Sequence, residues 1–538
     1  MSNYKHGIYT EESSTTTPSL QTITSGITVS VGLSPIHLAA NPVGINRPTL
    51  CYDKSTYVNY FGDTDDIKTY TNAETAEVMF DIFNVSPVVF VNVFNPRVHK
   101  TDVTKEITLA NGVATLAAPI LLDTLVVKGK QTTIVEIQNG DNPVDDDIDD
   151  DLDGTTTYTT AIPISGGGAD VVDDDDDGGT TPTVTTETRI TEVLLVKGDD
   201  YTTETDGDNN IIVTITSLGK ITDSKATFSY SQPDPSKVTI DDIIGKVDPT
   251  TGKCTGIKLI SEVYARTGIL PGSVIAPGWS KYPKVAAALA AAVELINGHF
   301  KAGAPVDLDT TEIGGYGEAG EWKTQNGFTS KFQFACYPMV GLSGTLYHLS
   351  TYVAALLNRL DGQNDEIPYN SPSNKAISID GMYNEDGSEN YFGLDAANDL
   401  NGNGIITCIN FNGWKLWGNR TAVYPQSNDP KDNFVAIRRM FNFVNNNLVI
   451  NYWSQIDEPT NRRLIDSVIN SANTWLNGLT SRGALLGGRV EFLDSDNGTM
   501  NLMDGKLRFR VYFTPPSPAR EITFIQEYDP DYLSTLFE

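Results

Sequence analysis

The stretch SVIAPGWSKYPKVAAALAAAVELI, residues 273–296, decides the fold class. GIKLISEVY (256–264) and SVIAPGW (273–279) frame a loop, and Pro283 stands where a first helical position tolerates a fixed φ and a missing N–H. The alanine-rich run from Lys284 that follows reads as a helix, and PVDLDT (305–310) reads as the next strand. Helix and strand alternating in this way indicate an α/β layer. The same rhythm occurs earlier. TLCYD (49–53) is a strand, Thr71 and Glu74 stand at capping-box spacing before the helix AETAEVMFDIFN, and PVVFVNVF (87–94) is a continuous apolar run suited to a sheet covered on both faces.

Between these two α/β parts the pattern is β only. EITLANGVATL, TLVVKG, TTIVEIQNG, the run from Glu192 to Ile215 and KATFSYSQPD are short strands separated by Gly, Asn and Asp turns. They imply a β-sandwich or barrel inserted into the α/β chain, over residues 99–235. Within it, 141–180 is a low-complexity loop of Asp, Gly and Thr, which lacks the apolar residues that offset the entropy of ordering. Weak divalent-cation binding by Asp145–Asp153 or Asp173–Asp177 is a reading of those acidic runs.

After the α/β region, TLYHLSTYVAALLNRLDG (345–362) carries Leu346, Leu349, Val353, Leu356 and Leu360 on one helical face, and the chain from there to Gly404 reads as loop-rich. Asp429-Pro430 is a cap followed by proline at the first helical position, with Phe434, Ile437, Phe441, Val444 and Leu448 marking the helix. A second amphipathic helix follows Pro459. RVEFLD, KLRFRVYF and a terminal strand from Ile522 to Tyr528 complete a small α+β domain.

Charge is distributed unevenly along the 538 residues. The formal net charge is −31, and residues 141–210 hold 21 acidic against 2 basic side chains, whereas 411–538 hold 14 against 13. The total disfavours nucleic-acid binding. Four scattered cysteines fit neither a disulfide framework nor a zinc site and suit a reducing cytosol. MSNYKHGIYTEE lacks the apolar segment of an export signal, and no run is long enough for a membrane span.

Motifs with possible chemistry fail on spacing. Asp149, Asp151, Asp153, Gly154 and Asp399, Asn401, Asn403, Gly404 open like calcium loops, but the twelfth positions are Thr160 and Asn410 where a bidentate acid is required. GYGEAG (315–320) lacks the following apolar helix of a dinucleotide site and reads as a flexible loop; TTGKCTG reads as a turn. The five histidines have no metal-binding spacing, Ser343 lacks the second glycine of a nucleophile elbow, and His348 reads as a core residue on an apolar helix face. No nucleophile, base and orienting acid come together. A serine hydrolase is therefore disfavoured, and an acidic surface-layer or adhesin module is the alternative kept open.

Several phrases together resemble the contractile tail sheath proteins of phages and related injection machines. They are the HGIY arm (6–9), VSVGLSP (29–35), TIDDIIGKVDPTTGKCTGI (239–257), residues 273–296, GNRTAVYP (418–425) and the closing run from Trp475 to Ile525. The resemblance covers most of the chain outside roughly 140–190, and Ser517-Pro518-Ala519-Arg520-Glu521 departs from the usual order. It implies a subtilisin-like α/β domain without a catalytic triad (26–98 and 236–410), the inserted sandwich (99–235) and a C-terminal domain (411–518) facing a tube. It also implies terminal arms, 1–25 and 519–538, exchanged as strands between neighbours through Ile8, Tyr9, Ile522, Phe524, Ile525 and Tyr528. The implied assembly is a stack of hexameric rings in a virion tail, built in the host cytoplasm. Its partners would be the tube, baseplate and terminator proteins, with neither nucleic acid nor membrane insertion. Arg462, Arg463, Arg482 and Arg489 are candidates for meeting acidic tube residues.

Overall fold

The structure is a computed structural model that describes residues 25–138, 156–160, 184–207 and 209–537. Contacts divide the chain into two units: residues up to Phe94 together with those from Val238 onward, and Asn95–Lys237.

The first unit is built on two sheets. In one, β1 (Thr28–Gly32), β2 (Thr49–Cys51), β3 (Val88–Asn92) and β4 (Ser273–Ile275) lie in the order β4-β1-β3-β2, parallel except for β2. In the other, β5 (Ala304–Asp307), β6 (Gln333–Cys336) and β7 (Ile405–Asn410) are parallel, and β8 (Trp414–Trp417) pairs antiparallel with β7. A parallel bridge from Ser273 to Gly303, with Val274 N–H donating to Gly303 O at 2.9 Å, joins β4 to β5. The two sheets thus form one mostly parallel layer with antiparallel strands towards its edges. Every residue of β1, β3, β4, β5 and β6 is buried, as strands covered on both faces require.

Helices cover this layer. The α/β segments include α1 (Thr71–Ala76), whose following residues Glu77–Ile82 widen into a π turn, α2 (Pro283–Glu294) and α3 (Leu349–Gly362). Pro283 opens α2 as its spacing predicts, and α2 buries Val285, Ala286, Leu289 and Val293. Beyond the sheet, α4 (Val435–Tyr452) and α5 (Arg462–Ser481) pack with β9 (Gly487–Glu491) and β10 (Arg510–Thr514) around a separate core containing Met440, Phe443, Leu476 and Leu485. Asn461 caps α5 by accepting from Leu464 N–H at 2.9 Å.

Among its described residues, the second unit contains strands and two short 3-10 turns, Leu218–Lys220 and Pro235–Lys237. A five-stranded sheet includes Lys100–Thr108, Leu121–Gln138 and Lys225–Pro233, and a three-stranded sheet holds Val113–Leu116, Tyr201–Thr205 and Ile211–Ile215. Both contribute to one apolar cluster, in which Val127 and Phe228 from the first sheet and Leu116 and Val213 from the second are almost fully buried.

Six local readings are corrected by the structure. Thr71 and Glu74 do not form a capping box: Tyr70 occupies the cap position, and the Glu74 carboxylate is drawn across to His348 and Thr351. His348 is not on a helix face but precedes α3 as its cap residue, and Leu346 lies in the short strand Thr345–Tyr347. GYGEAG is not a loop, because Tyr316–Gln325 is a helix with Gly315 at its cap. A Cβ on Gly320 would lie 2.6 Å from Asn403, so glycine there permits this helix to meet the helix Leu394–Gly402. That second helix falls in the span read as loop-rich, and it contains Asp399 and Asn401, so the calcium-loop pattern is helical. Asp429 caps only a single turn, Pro430–Asn433, since Phe434 is extended and bridges Arg420 before α4 restarts the helix. The terminal strand from Ile522 to Tyr528 is also not formed: that segment pairs with no strand among the described residues.

Candidate assembly site

Strands β9 and β10 run antiparallel from Gly487 opposite Thr514 to Glu491 opposite Arg510. Their two outer edges differ. On β9, the Asn473 side chain of α5 accepts from Val490 N–H at 2.7 Å and donates to Val490 O at 3.4 Å, occupying that edge. On β10, no second strand pairs among the described residues. The sheet is held from beneath by Phe513 against Phe441, with ring centroids 4.3 Å apart. The turn before β10 is fixed as well: Arg510 bonds Asp496 at 2.8 Å, and the Asn497 amide clamps Arg508 N–H and O at 2.8 and 2.9 Å. A rigid two-stranded sheet with one vacant edge can accept an added strand.

The chain leaves β10 through Pro515 and continues without a strand to a 3-10 turn at Pro530–Leu536. Ile522, Phe524, Ile525 and Tyr528 are 71%, 85%, 92% and 77% exposed. Four large exposed apolar side chains, in a segment that pairs with no strand among the described residues, have the composition of a donor strand. Ile8 and Tyr9 lie outside the described residues, as do the acidic runs Asp145–Asp153 and Asp173–Asp177. No group of three or more potential metal ligands occurs among the described residues.

The root of the N-terminal arm is anchored at a buried charge pair. The Ser25 hydroxyl lies 2.8 Å from Asp361 Oδ2 and 2.6 Å from Glu366 O. Asp361 in α3 and Arg439 in α4 form a two-pronged ion pair, with both side chains at most 3% exposed. Burial and the Asp361 carboxylate raise the Glu366 pKa above its usual value. The arm therefore starts on the ion pair that connects the α/β layer to α4, a constellation that sequence spacing could not reveal because its members are 25, 361 and 439.

The four arginines are not brought to one place. Arg462 is the first of the 20 residues of α5 and Arg482 caps its far end, roughly 30 Å away. Arg462 pairs with Asp466 at 3.0 Å, Arg482 with Asp365 at 3.6 Å, and Arg489 with Glu491 at 2.7 Å; Arg463 is exposed.

Buried ionisable groups elsewhere hold structure together. His348 Nδ1 lies 2.6 Å from Glu74 Oε2; burial alone would lower the imidazole pKa, but the carboxylate raises it to about 9. Lys323 donates to Ala422 O and Tyr424 O at 2.7 and 2.9 Å, and burial lowers its pKa to about 8. These act in opposite directions. The His348 contribution is complete below the unfolded value of about 6.5 and is lost as pH rises through about 9, whereas the Lys323 contribution grows from about pH 8 towards the unfolded value near 10.5. The urea midpoint is therefore expected to fall between about pH 6.5 and 8 and to flatten above, and His348→Gln is expected to remove the fall.

No family model matches the chain. It is 27% identical to the tail sheath protein of Burkholderia phage BcepMu over 559 aligned positions, covering 99% of this chain and 98% of that one. It is 25% identical to the tail sheath protein of Escherichia phage P2 over 305 positions, covering 55% and 73%. Among solved structures, a sheath tail protein from Desulfitobacterium hafniense superposes with a TM-score of 0.44 at 10% identity, covering 90% of this chain and 93% of that one.

Proposed function

We propose, for a chain that belongs to the contractile tail sheath proteins, that it is a structural subunit, not an enzyme, which polymerises around a tail tube and shortens to drive that tube through a cell envelope. In this reading the subunits form stacked hexameric rings in the virion tail, assembled in the host cytoplasm. The baseplate is at one end, a terminator protein is at the other, and the tube lies inside. The α/β layer is a subtilisin-like scaffold without a triad, and the inserted β unit is a sandwich.

The observation that carries this reading is the pairing of a vacant strand edge on β10 with an apolar, exposed arm in the same chain. A donor and an acceptor that do not satisfy each other within one molecule generate head-to-tail contacts, and such contacts propagate as a helix when they do not close. Ile522, Phe524, Ile525 and Tyr528 supply the strand at the C-terminal arm, and Ile8 and Tyr9 supply a second one at the N-terminal arm. Contraction is release from a metastable lattice, in which subunits move as rigid bodies while segments 19–26 and 515–520 bend. Electron microscopy of the purified protein tests the reading: tubes or rings are expected, and a monomer that never polymerises at high concentration contradicts it.

The C-terminal domain faces the tube in this arrangement, with Arg462, Arg463, Arg482 and Arg489 opposite acidic tube residues. Arg462→Glu together with Arg463→Glu is expected to leave folding unchanged, because both side chains are exposed, while lowering the yield of tube-bound sheath about tenfold. Tube-bound assembly at the wild-type level in a sedimentation assay would remove these residues from the contact.

A further inference from the structure

An open groove of about 780 Å³ lies beside the root of the C-terminal arm, between segments 369–375 and 417–424 and the stretch Pro516–Glu521. Its ionisable lining includes Lys375, Arg420 and Arg520 against the single acid Glu521, in a chain whose formal charge is −31. Arg520 reaches Glu521 at 3.2 Å. Neither Arg420 nor Lys375 has a carboxylate partner among the described residues. The Arg420 guanidinium lies over Tyr424 and Phe434, 4.3 and 4.0 Å from the ring centroids, and its burial and the neighbouring Arg520 cation hold its pKa below the usual arginine value. Two like charges lining one open polar groove, one of them lying over two aromatic rings, form a receptor for carboxylates.

The chain itself carries a segment of complementary chemistry. Past the proposed donor strand, residues 529–537 remain, and they open with Asp529 and Asp531 in solvent and continue through Tyr532 and Phe537, 74% and 92% exposed. Residues 530–536 form the 3-10 turn, roughly 14 Å long, and Asp531 N–H donates to Asp529 Oδ1 at 3.0 Å. The acceptor strand β10 ends at Thr514, two residues before the groove wall begins at Pro516. A donor strand leaving the acceptor sheet at that end would enter the groove at once.

We infer that the groove binds the acidic end of a second copy's C-terminal arm, with Asp529 and Asp531 meeting Arg420 and Arg520. This rests on the strand-exchange reading above and adds a charged clasp to it. An apolar strand alone fits any sheet edge; the clasp fixes the direction and register in which a neighbour's arm is accepted.

Charge reversal tests it in trans. Arg420→Glu alone and Asp529→Arg with Asp531→Arg alone should each slow polymerisation at least tenfold, measured by light scattering, with melting temperature unchanged. Mixing the two variant proteins should restore the rate, since each groove then meets a complementary tail from the other. If Arg420→Glu lowers the melting temperature, Arg520→Glu, whose side chain is 60% exposed, takes its place in the mixture. Unchanged rates in the single variants overturn the inference, as does a mixture that stays slow. Recovery only when both changes are in one chain would make the occupant the subunit's own tail, and recovery through reversal at Glu11 and Glu12 would make it the N-terminal arm; both overturn it. Polymerisation that survives deletion of 522–538 would defeat the strand-exchange reading itself, a result separable from failure of the clasp.

Discussion

Deleting residues 521–538 is expected to leave a subunit that melts within about a degree or two of the full chain and forms no tubes. Stability changes little because the large apolar side chains removed are exposed: Ile522, Phe524, Ile525 and Tyr528 are all at least 71% exposed, and exposed changes usually move stability by less than about 0.5 kcal/mol. Assembly is affected strongly because, in the proposed strand exchange, the same side chains are the donor between neighbouring subunits. Burying one such apolar side chain contributes about 1.5–3 kcal/mol, part of which is offset by ordering the arm. A net loss of even about 4 kcal/mol per contact weakens association roughly a thousandfold. Sedimentation and a thermal melt on the same sample separate the two effects, and a truncated chain that still polymerises would disprove the arm's role.

The second large effect concerns the inside of the subunit. Asp361→Asn or Arg439→Met is expected to lower unfolding free energy by about 3–5 kcal/mol, because each leaves the other partner of a buried pair without compensation. Changing both, Asp361→Leu with Arg439→Met, should recover most of that loss, since an apolar pair of similar volume incurs no desolvation cost. Urea titrations of the three variants measure it. Ser25 bonds the same carboxylate, so the single Asp361→Asn variant should also make the N-terminal arm root more susceptible to proteolysis. Additive losses in the double variant would show that the two residues stabilise the fold independently.

Legibility in the sequence followed the range of the forces involved. Pro283 and the alanine-rich run after it announced α2, and the apolar run at 88–91 announced a strand buried on both faces, because helix capping and burial are encoded within a few residues. Glu74 was misread for the opposite reason. Its capping-box spacing is local, but a buried carboxylate is better satisfied by the imidazole of His348, 274 positions away. GYGEAG misleads in the same manner, since Gly320 serves close packing against Asn403 and the segment is helical from Tyr316. The helix Leu394–Gly402 was missed because its apolar face is short, with Ala396, Ala397 and Leu400 its buried residues. The pair Asp361–Arg439 and the stacked Arg420 depend wholly on tertiary placement. The alternation at Ile522–Tyr528 forms no strand among the described residues, because a strand exists only with a partner, and its pairing with a neighbour stands as a proposal.

Cryo-electron microscopy of the assembled tube gives the most direct test. The account predicts residues 522–528 as a β-strand hydrogen-bonded to the vacant edge of β10 in a neighbouring copy. Residues 522–528 folded onto their own subunit, with the β10 edge unpaired throughout the polymer, would contradict it.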